Sequence, residues 1–244
     1  MLQSGDRYLA CMAGNSTLKW AVFRARSDTC GQKGSCGVSQ EIPPELERLL
    51  RELPLYVASV NPAALDKLLQ KSGGCAQVIG EEIPVPIRNA TRKPEGVGVD
   101  RLLGCLAAYT RHGPSIVVDA GTAVTVNLVD HGPTFLGGAI LPGPHLWAEA
   151  LHHGTAKLPL VRIDGPPPPV PYGRDTEEAI ACGIGWGIAG AVRLLAERME
   201  EGRQGLPVLL TGGGAEFLAP SLRRPHVIVP DLVLEGLRLT VEAS

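Results

Sequence analysis

The feature that most constrains this chain is a plan that occurs twice. Tyr8 to Ala13 has the pattern of an apolar strand, runs into Gly14-Asn15-Ser16, and is followed by a returning strand over Leu18 to Phe23. About 107 positions later the β-branched run Ser115 to Asp119 meets Gly121-Thr122, Val124 to Val129 returns, and Gly132-Pro133 turns the chain before Phe135-Leu136. A chain that repeats strand, glycine turn and strand at that distance builds two similar units. The 244 residues, 44% of them hydrophobic, are enough for two small cores, which we place at about residues 1–113 and 114–244.

Between the hairpins the pattern alternates helix and strand, so the fold class is α/β. The spacing predicts helices over Pro43 to Leu53, Pro62 to Lys71 and Asp100 to His112, and strands over Leu55 to Val60, Ala76 to Ile79 and Val85 to Ile87. In the second half Asp175 and Glu178 stand at capping-box spacing before a helix reaching Glu200, and Pro207 to Leu210 is a strand that ends in Thr211-Gly212-Gly213-Gly214. A short helix over Glu216 to Leu222 follows. Gly183, Gly187 and Gly190 form a small-residue stripe on the long helix, and since each costs about 1 kcal/mol relative to Ala, a close neighbour is expected there. The proline run between Gly165 and Pro171 reads as a stiff extended connector.

Charge narrows the function classes. A formal net charge of -2 lacks the basic surplus that coating nucleic acid or an anionic membrane requires. The N-terminal residues show no secretory pattern, and the longest uncharged apolar segment, Ala179 to Val192, is shorter than the roughly 20 residues that span a bilayer, so a cytoplasmic protein is expected. Six cysteines (Cys11, Cys30, Cys36, Cys75, Cys105, Cys182) contain no Cys-x-x-Cys pair and read as reduced core thiols. His152 and His153 are adjacent, a spacing unsuited to a shared metal.

Three glycine turns, each following an apolar strand, carry the chemistry: Gly14 to Lys19, Asp119 to Ala123 and Thr211 to Gly214. Glycine lets backbone N–H groups approach an anion, hydroxyls add donors and a lysine adds charge, so such turns cradle phosphates. Singly, each is an ordinary hairpin turn. Together they point to a nucleotide, and neither a Gly-x-x-x-x-Gly-Lys-Ser/Thr loop nor a Gly-x-Gly-x-x-Gly fingerprint competes for it.

The order of turns resembles the actin, sugar kinase and heat-shock ATPase superfamily, and the intervening segments resemble type III pantothenate kinase. The matching pieces are Gly14-Asn15-Ser16 with Lys19, Pro94-Glu95 with Val97-Gly98-Val99-Asp100-Arg101, Val117 to Thr125, Leu136 to Gly143, Thr155 to Pro159, Gly173 to Ile180, Thr211 to Gly213, and Pro230 to Leu237. They cover nearly the whole chain. The resemblance implies two duplicated ribonuclease H-like (actin-like ATPase) domains with ATP in the interdomain cleft, and phosphorylation of pantothenate to 4′-phosphopantothenate, the first step of coenzyme A biosynthesis. It also implies a homodimer, Mg²⁺ with the ATP, and a monovalent cation, K⁺ or NH₄⁺. By position, Asp100 matches the proton acceptor, Gly98, Val99, Arg101 and Thr176 match substrate contacts, and Asp119 matches the cation ligand. Gly14, Asn15, Ser16, Lys19 and Thr122 match ATP contacts.

Elementary chemistry agrees for Asp100, which opens a helix where the dipole favours a carboxylate, while the Arg101 fork suits a carboxylate ligand. Simple helix capping by Asp100 beside a solvated Arg101 is the plainer alternative. The chain departs from the family at Met12, where the first phosphate loop has an acidic residue, and at Thr91, where a tyrosine is usual. A thioether at Met12 removes a hard oxygen ligand that Mg²⁺ prefers and would weaken activity. Two readings follow: a working kinase, or a catalytically impaired homologue that binds nucleotide or pantothenate as a regulatory protein.

Overall fold

The computed structural model describes residues 2–27, 30–73, 76–203 and 205–244, so Cys75 lies outside the described residues. The first part of the chain holds β1 (Arg7–Ala13), β2 (Thr17–Arg24), β3 (Cys30–Gly37), α1 (Pro44–Glu52), β4 (Leu55–Ser59), α2 (Pro62–Lys71), β5 (Ala76–Val78), a short β6 (Arg88–Asn89), a 3₁₀ turn (Pro94–Gly96) and α3 (Val99–His112). Then come β7 (Ser115–Ala120), β8 (Ala123–Asp130), β9 (Thr134–Pro142), α4 (Pro144–His153), α5 (Thr176–Glu200), β10 (Val208–Thr211), α6 (Ala215–Leu222), β11 (Val227–Ile228) and α7 (Leu232–Ala243).

The two units carry one topology. In the first the strand order is β3-β2-β1-β4-β5, and in the second β9-β8-β7-β10-β11 follows the same path. β2 is antiparallel to β1 and β3 while β1, β4 and β5 run parallel; β8 is antiparallel to β7 and β9 while β7, β10 and β11 run parallel. The repeat seen around Gly14 and Gly121 is therefore a repeat of whole sheets.

Strand periodicity explains the cores. Leu9, Cys11 and Ala13 of β1 join one apolar cluster with Leu46, Leu50 and Leu68, whereas Tyr8, Ala10 and Met12 join another with Leu103, Leu234 and Leu237. Each central strand is thus covered on both faces. In the second unit Ile116, Val118, Val124 and Val126 pack with Ile184, Ile188 and Val192 of α5.

The unit boundaries differ from the division at 113/114. Compactness groups residues up to 111 with 232–244, and 112–231 form the second unit. The last helix changes sides because Leu234, Leu237 and Val241 bury their side chains in the β1 and α3 cluster. Val85 to Ile87, expected as a strand, is not one; the short strand lies at Arg88–Asn89. β3 was not foreseen because its sequence has no apolar alternation, and it exists through pairing with β2. There Gly34 leaves room for the Trp20 ring, whose Cη2 would lie 2.9 Å from an added Cβ.

Helix ends follow capping chemistry. Asn61 caps α2 by accepting from Ala64 N at 3.1 Å, ahead of Pro62. Asp175 caps α5 by accepting from Glu178 N at 2.8 Å, and the Glu178 carboxylate accepts from Arg174 N at 2.8 Å, one residue outside the usual capping-box return. α5 is long and apolar enough, by length and composition, to cross a membrane, which exceeds the span expected from Ala179 to Val192. Its buried residues, Ile180, Ile184, Ile188 and Val192 among them, form the second unit's core.

The glycine stripe behaves otherwise than expected. Gly187 faces Trp147, whose Cη2 would be 3.0 Å from an added Cβ, but Gly183 and Gly190 face open space. The close approach on α5 is instead at Gly185, against Pro167 of the proline run. Cys11, Cys105 and Cys182 are buried, as core thiols should be, whereas Cys30 is exposed and Cys36 half-buried on the edge strand β3. Burial pushes the Cys105 thiol up to about 12, which keeps it protonated and unreactive.

Candidate functional site

In the first unit the site is built at the start of α3. The 3₁₀ turn Pro94–Gly96 is followed by Val97 in extended form, and Arg101 N donates to Gly98 O at 3.1 Å as the helix opens. The Asp100 Oδ1 atom accepts from Arg101 N at 2.8 Å and folds over Gly98, where an added Cβ would lie 2.6 Å from it. A side chain at position 98 would therefore displace the Asp100 carboxylate from this place. Val99 faces the other way, its Cγ2 3.1 Å from where a Cβ on Gly80 would stand, and Gly80 has φ +95°. Gly98, Val99, Asp100 and Arg101 are all half-buried.

Burial raises the Asp100 carboxyl above the ordinary carboxylate range, and the N–H and positive charge of Arg101 offset this only in part. Burial likewise lowers the Arg101 guanidinium. Because the folded value of Asp100 lies above the unfolded one, its contribution to stability is complete below the unfolded carboxylate range and is lost as pH rises through the folded value. Asp100→Asn, which removes the ionisation but keeps the acceptor, should raise the unfolding midpoint at neutral pH, with the gain vanishing toward about pH 3. Thermal melts across that range check this, and equal midpoints at neutral pH would contradict it.

The first glycine turn closes the β1–β2 hairpin. Gly14 N donates to Thr17 O at 2.9 Å, and Asn15 and Ser16 are exposed at its tip. Lys19 stands across from Met12 in the β1–β2 register, and Met12 also pairs with Ala58 of β4. The Met12 side chain is buried in the cluster that contains Ala58 and Leu103. Thr91 donates its hydroxyl to Asn89 Oδ1 at 2.7 Å.

The second unit brings its glycines together at one end of the sheet. Asp119, on β7, pairs with Thr125 of β8 and Thr211 of β10. Gly121 N donates to Ala123 O at 3.0 Å, and Gly214 N donates to Ala120 O at 2.7 Å. Gly212, at φ +86°, passes so close to β7 that an added Cβ would overlap the Asp119 carboxylate and lie 2.6 Å from Ala120 O. Gly143 N donates to Thr122 O at 2.9 Å, and a Cβ on Gly143 would lie 2.9 Å from the Thr122 carbonyl carbon. Asp119 and Met12 hold equivalent places, each two residues before the turn glycine of a duplicated sheet. The sequence marks the Thr211 to Gly214 turn as a phosphate-binding candidate, whereas Gly143 enters it only as the end of the Leu136 to Gly143 piece, with no sign that its Cα must lie against the Thr122 backbone.

Thr176, at the first position of α5, lines a cavity of about 610 Å³ with Trp147, Leu151, Leu158, Arg174 and Ile180. The cavity is an apolar pocket with a polar edge, the form in which small ligands are held. His152, in the last turn of α4, has Nδ1 2.8 Å from Leu158 O, and no cluster of three His, Cys, Asp or Glu side chains suited to a metal occurs among the described residues.

Comparison with known proteins adds to this geometry. The family model for type III pantothenate kinase matches residues 8–198. The chain is 36% identical over 247 residues to the type III pantothenate kinase of Paramagnetospirillum magneticum, covering 94% of each. It is 35% identical over 243 residues to that of Alkalilimnicola ehrlichii, covering 94% of this chain and 96% of the relative. Among solved structures, a Baf family protein from Campylobacter jejuni superposes with a TM-score of 0.63 at 21% identity, over 96% of this chain and 98% of that one. Component A of the (R)-2-hydroxyglutaryl-CoA dehydratase of Acidaminococcus fermentans gives 0.55 at 13% identity, over 98% and 97%. These likenesses, with the duplicated sheets, establish the expected actin-like ATPase fold.

Proposed function

The chain belongs to the type III pantothenate kinase family, with ATP-dependent phosphorylation of pantothenate to 4′-phosphopantothenate as its function, and we propose that the start of α3 carries the chemistry. The observation that supports this is the Asp100 carboxylate, half-buried at a helix start, kept clear by Gly98 and flanked by Arg101.

Phosphoryl transfer passes through a loose transition state, so the protein mainly positions reactants and balances charge. Asp100 accepts the proton of the primary alcohol as its oxygen bonds to the γ-phosphorus and the bond to the ADP oxygen breaks. Its raised proton affinity suits a late acceptor. Arg101 receives the pantothenate carboxylate in its planar fork, the strip Gly98–Val99 lies along the substrate, and Thr176 adds a hydroxyl contact. Backbone N–H groups of Gly14, Asn15 and Ser16, together with Lys19, and separately the Thr122 hydroxyl, are the ATP contacts of this reading.

The residues present fit a monovalent cation better than they fit a protein-held Mg²⁺. The Asp119 carboxylate and the Ala120 carbonyl converge beside Gly212 and offer hard oxygens that would hold K⁺ or NH₄⁺. Met12, buried among apolar side chains, supplies no ligand for Mg²⁺, so the ion that accompanies ATP relies on phosphate oxygens and water. Ile140, Leu160 and Tyr172, each more than half exposed, support association with a second copy, and we take the active form to be a cytoplasmic homodimer.

Purified protein supplied with ATP, Mg²⁺, K⁺ and pantothenate should yield ADP and 4′-phosphopantothenate, read by mass spectrometry. Absence of product over a wide range of substrate concentrations would overturn the reading in favour of a ligand-binding homologue.

A further inference from the structure

The segment Pro230 to Leu237 matches the family but has no part in the chemistry above. It leads into α7, whose Gly236 lies directly against the α3 backbone at Leu103. A Cβ on Gly236 would overlap the Leu103 carbonyl oxygen and lie 2.5 Å from its carbon and 2.9 Å from its Cα. These are backbone atoms, so no side-chain rotation could make room. Leu103 lies one turn beyond Asp100, roughly 4.5 Å along the helix. Further along, Arg111 Nε donates to Glu235 Oε1 at 2.5 Å, so consecutive residues of α7 hold both the start and the end of α3. Leu234, Leu237 and Val241 bury their side chains in the same cluster as Leu103.

Resting on the reading of Asp100 as the proton acceptor, we propose that α7 is a positioning element for α3, with Gly236 setting how deeply α3 sits and therefore where Asp100 lies. The last helix of the chain then has a reason to leave the second unit. It braces the catalytic helix from behind, while Val99 over Gly80 and Asp100 over Gly98 fix its first turn.

Gly236→Ala should push α3 outward and lower kcat by about 10- to 100-fold, the scale of an ångström-sized misplacement of a reacting group, while KM for ATP stays within about twofold. Val241→Ala is the control: it empties volume in the same cluster, lowers the unfolding midpoint and keeps kcat within about twofold of the parent. A folded Gly236→Ala protein with the parent's kcat, or a Val241→Ala protein that loses kcat equally, would overturn the proposal. If Gly236→Ala yields no folded protein, Glu235→Gln decides: a kcat reduced to about half or less supports bracing by α7, and an unchanged kcat overturns it. Asp100→Asn run in parallel separates the two readings. Full activity in that variant removes Asp100 as the acceptor, whereas an inactive Asp100→Asn beside a fully active, folded Gly236→Ala removes only the positioning role.

Discussion

Asp100→Asn is expected to reduce kcat for pantothenate phosphorylation by about 100- to 10,000-fold, the range over which a positioned general base contributes. Asn keeps the size of the side chain and an oxygen that accepts from Arg101 N, so the geometry at Gly98 survives and the lost property is proton acceptance. The melting experiment gives the same variant an opposite signature, a raised midpoint at neutral pH, because an ionised carboxylate is no longer held in a half-buried site. Activity and stability should therefore move in opposite directions in one protein. General misfolding would lower both. Steady-state kinetics with saturating ATP provide the measurement, and a kcat within a few-fold of the parent would exclude Asp100 as the acceptor.

What could be read from sequence was what individual strands and turns say about themselves. The β1–β2 and β7–β8 hairpins announce themselves by apolar runs flanking Gly14 and Gly121, and their repetition carries the duplicated fold. The cap at Asp175 was legible because capping is local. What depended on distant partners was not. β3 is a strand through its pairing with β2, and α7 changes units because its leucines meet Tyr8 and Leu103. The glycines make the point most sharply. A stripe on α5 suggested close packing, yet Gly183 and Gly190 face open space, while Gly143, Gly212 and Gly236 each meet backbone from a remote segment. Helical spacing reports which residues share a face, and says nothing of what that face meets. For the candidate site, Asp100 and Arg101 stand out through the resemblance of Gly98-Val99-Asp100-Arg101 to the family, because helix-start chemistry alone fits plain capping equally well, and the packing of Val99 against Gly80 and the cavity at Thr176 needed three dimensions.

Gly212→Ala should be strongly damaging, because at this position a strained backbone angle and a close approach combine. Gly212 has φ +86°, where a Cβ costs about 1–2 kcal/mol, and its close approach to β7 adds an overpacking penalty of about 1–3 kcal/mol. Neither penalty is easily relieved. The neighbours are the carbonyl of Ala120, already accepting from Gly214 N, and the carboxylate of Asp119, which sits on the central strand. Movement of the turn would pull both from their places, so KM for ATP should rise about tenfold or more along with the loss of stability. Gly213→Ala is the matched comparison: the next residue has no positive φ and nothing within 4 Å of an added Cβ, so its unfolding free energy should change by no more than about 0.5 kcal/mol. Urea unfolding of the two variants side by side tests the argument. Equal destabilisation would mean that the triple-glycine turn is sensitive to any side chain, and the contact between Gly212 and Asp119 would lose its special place in the site.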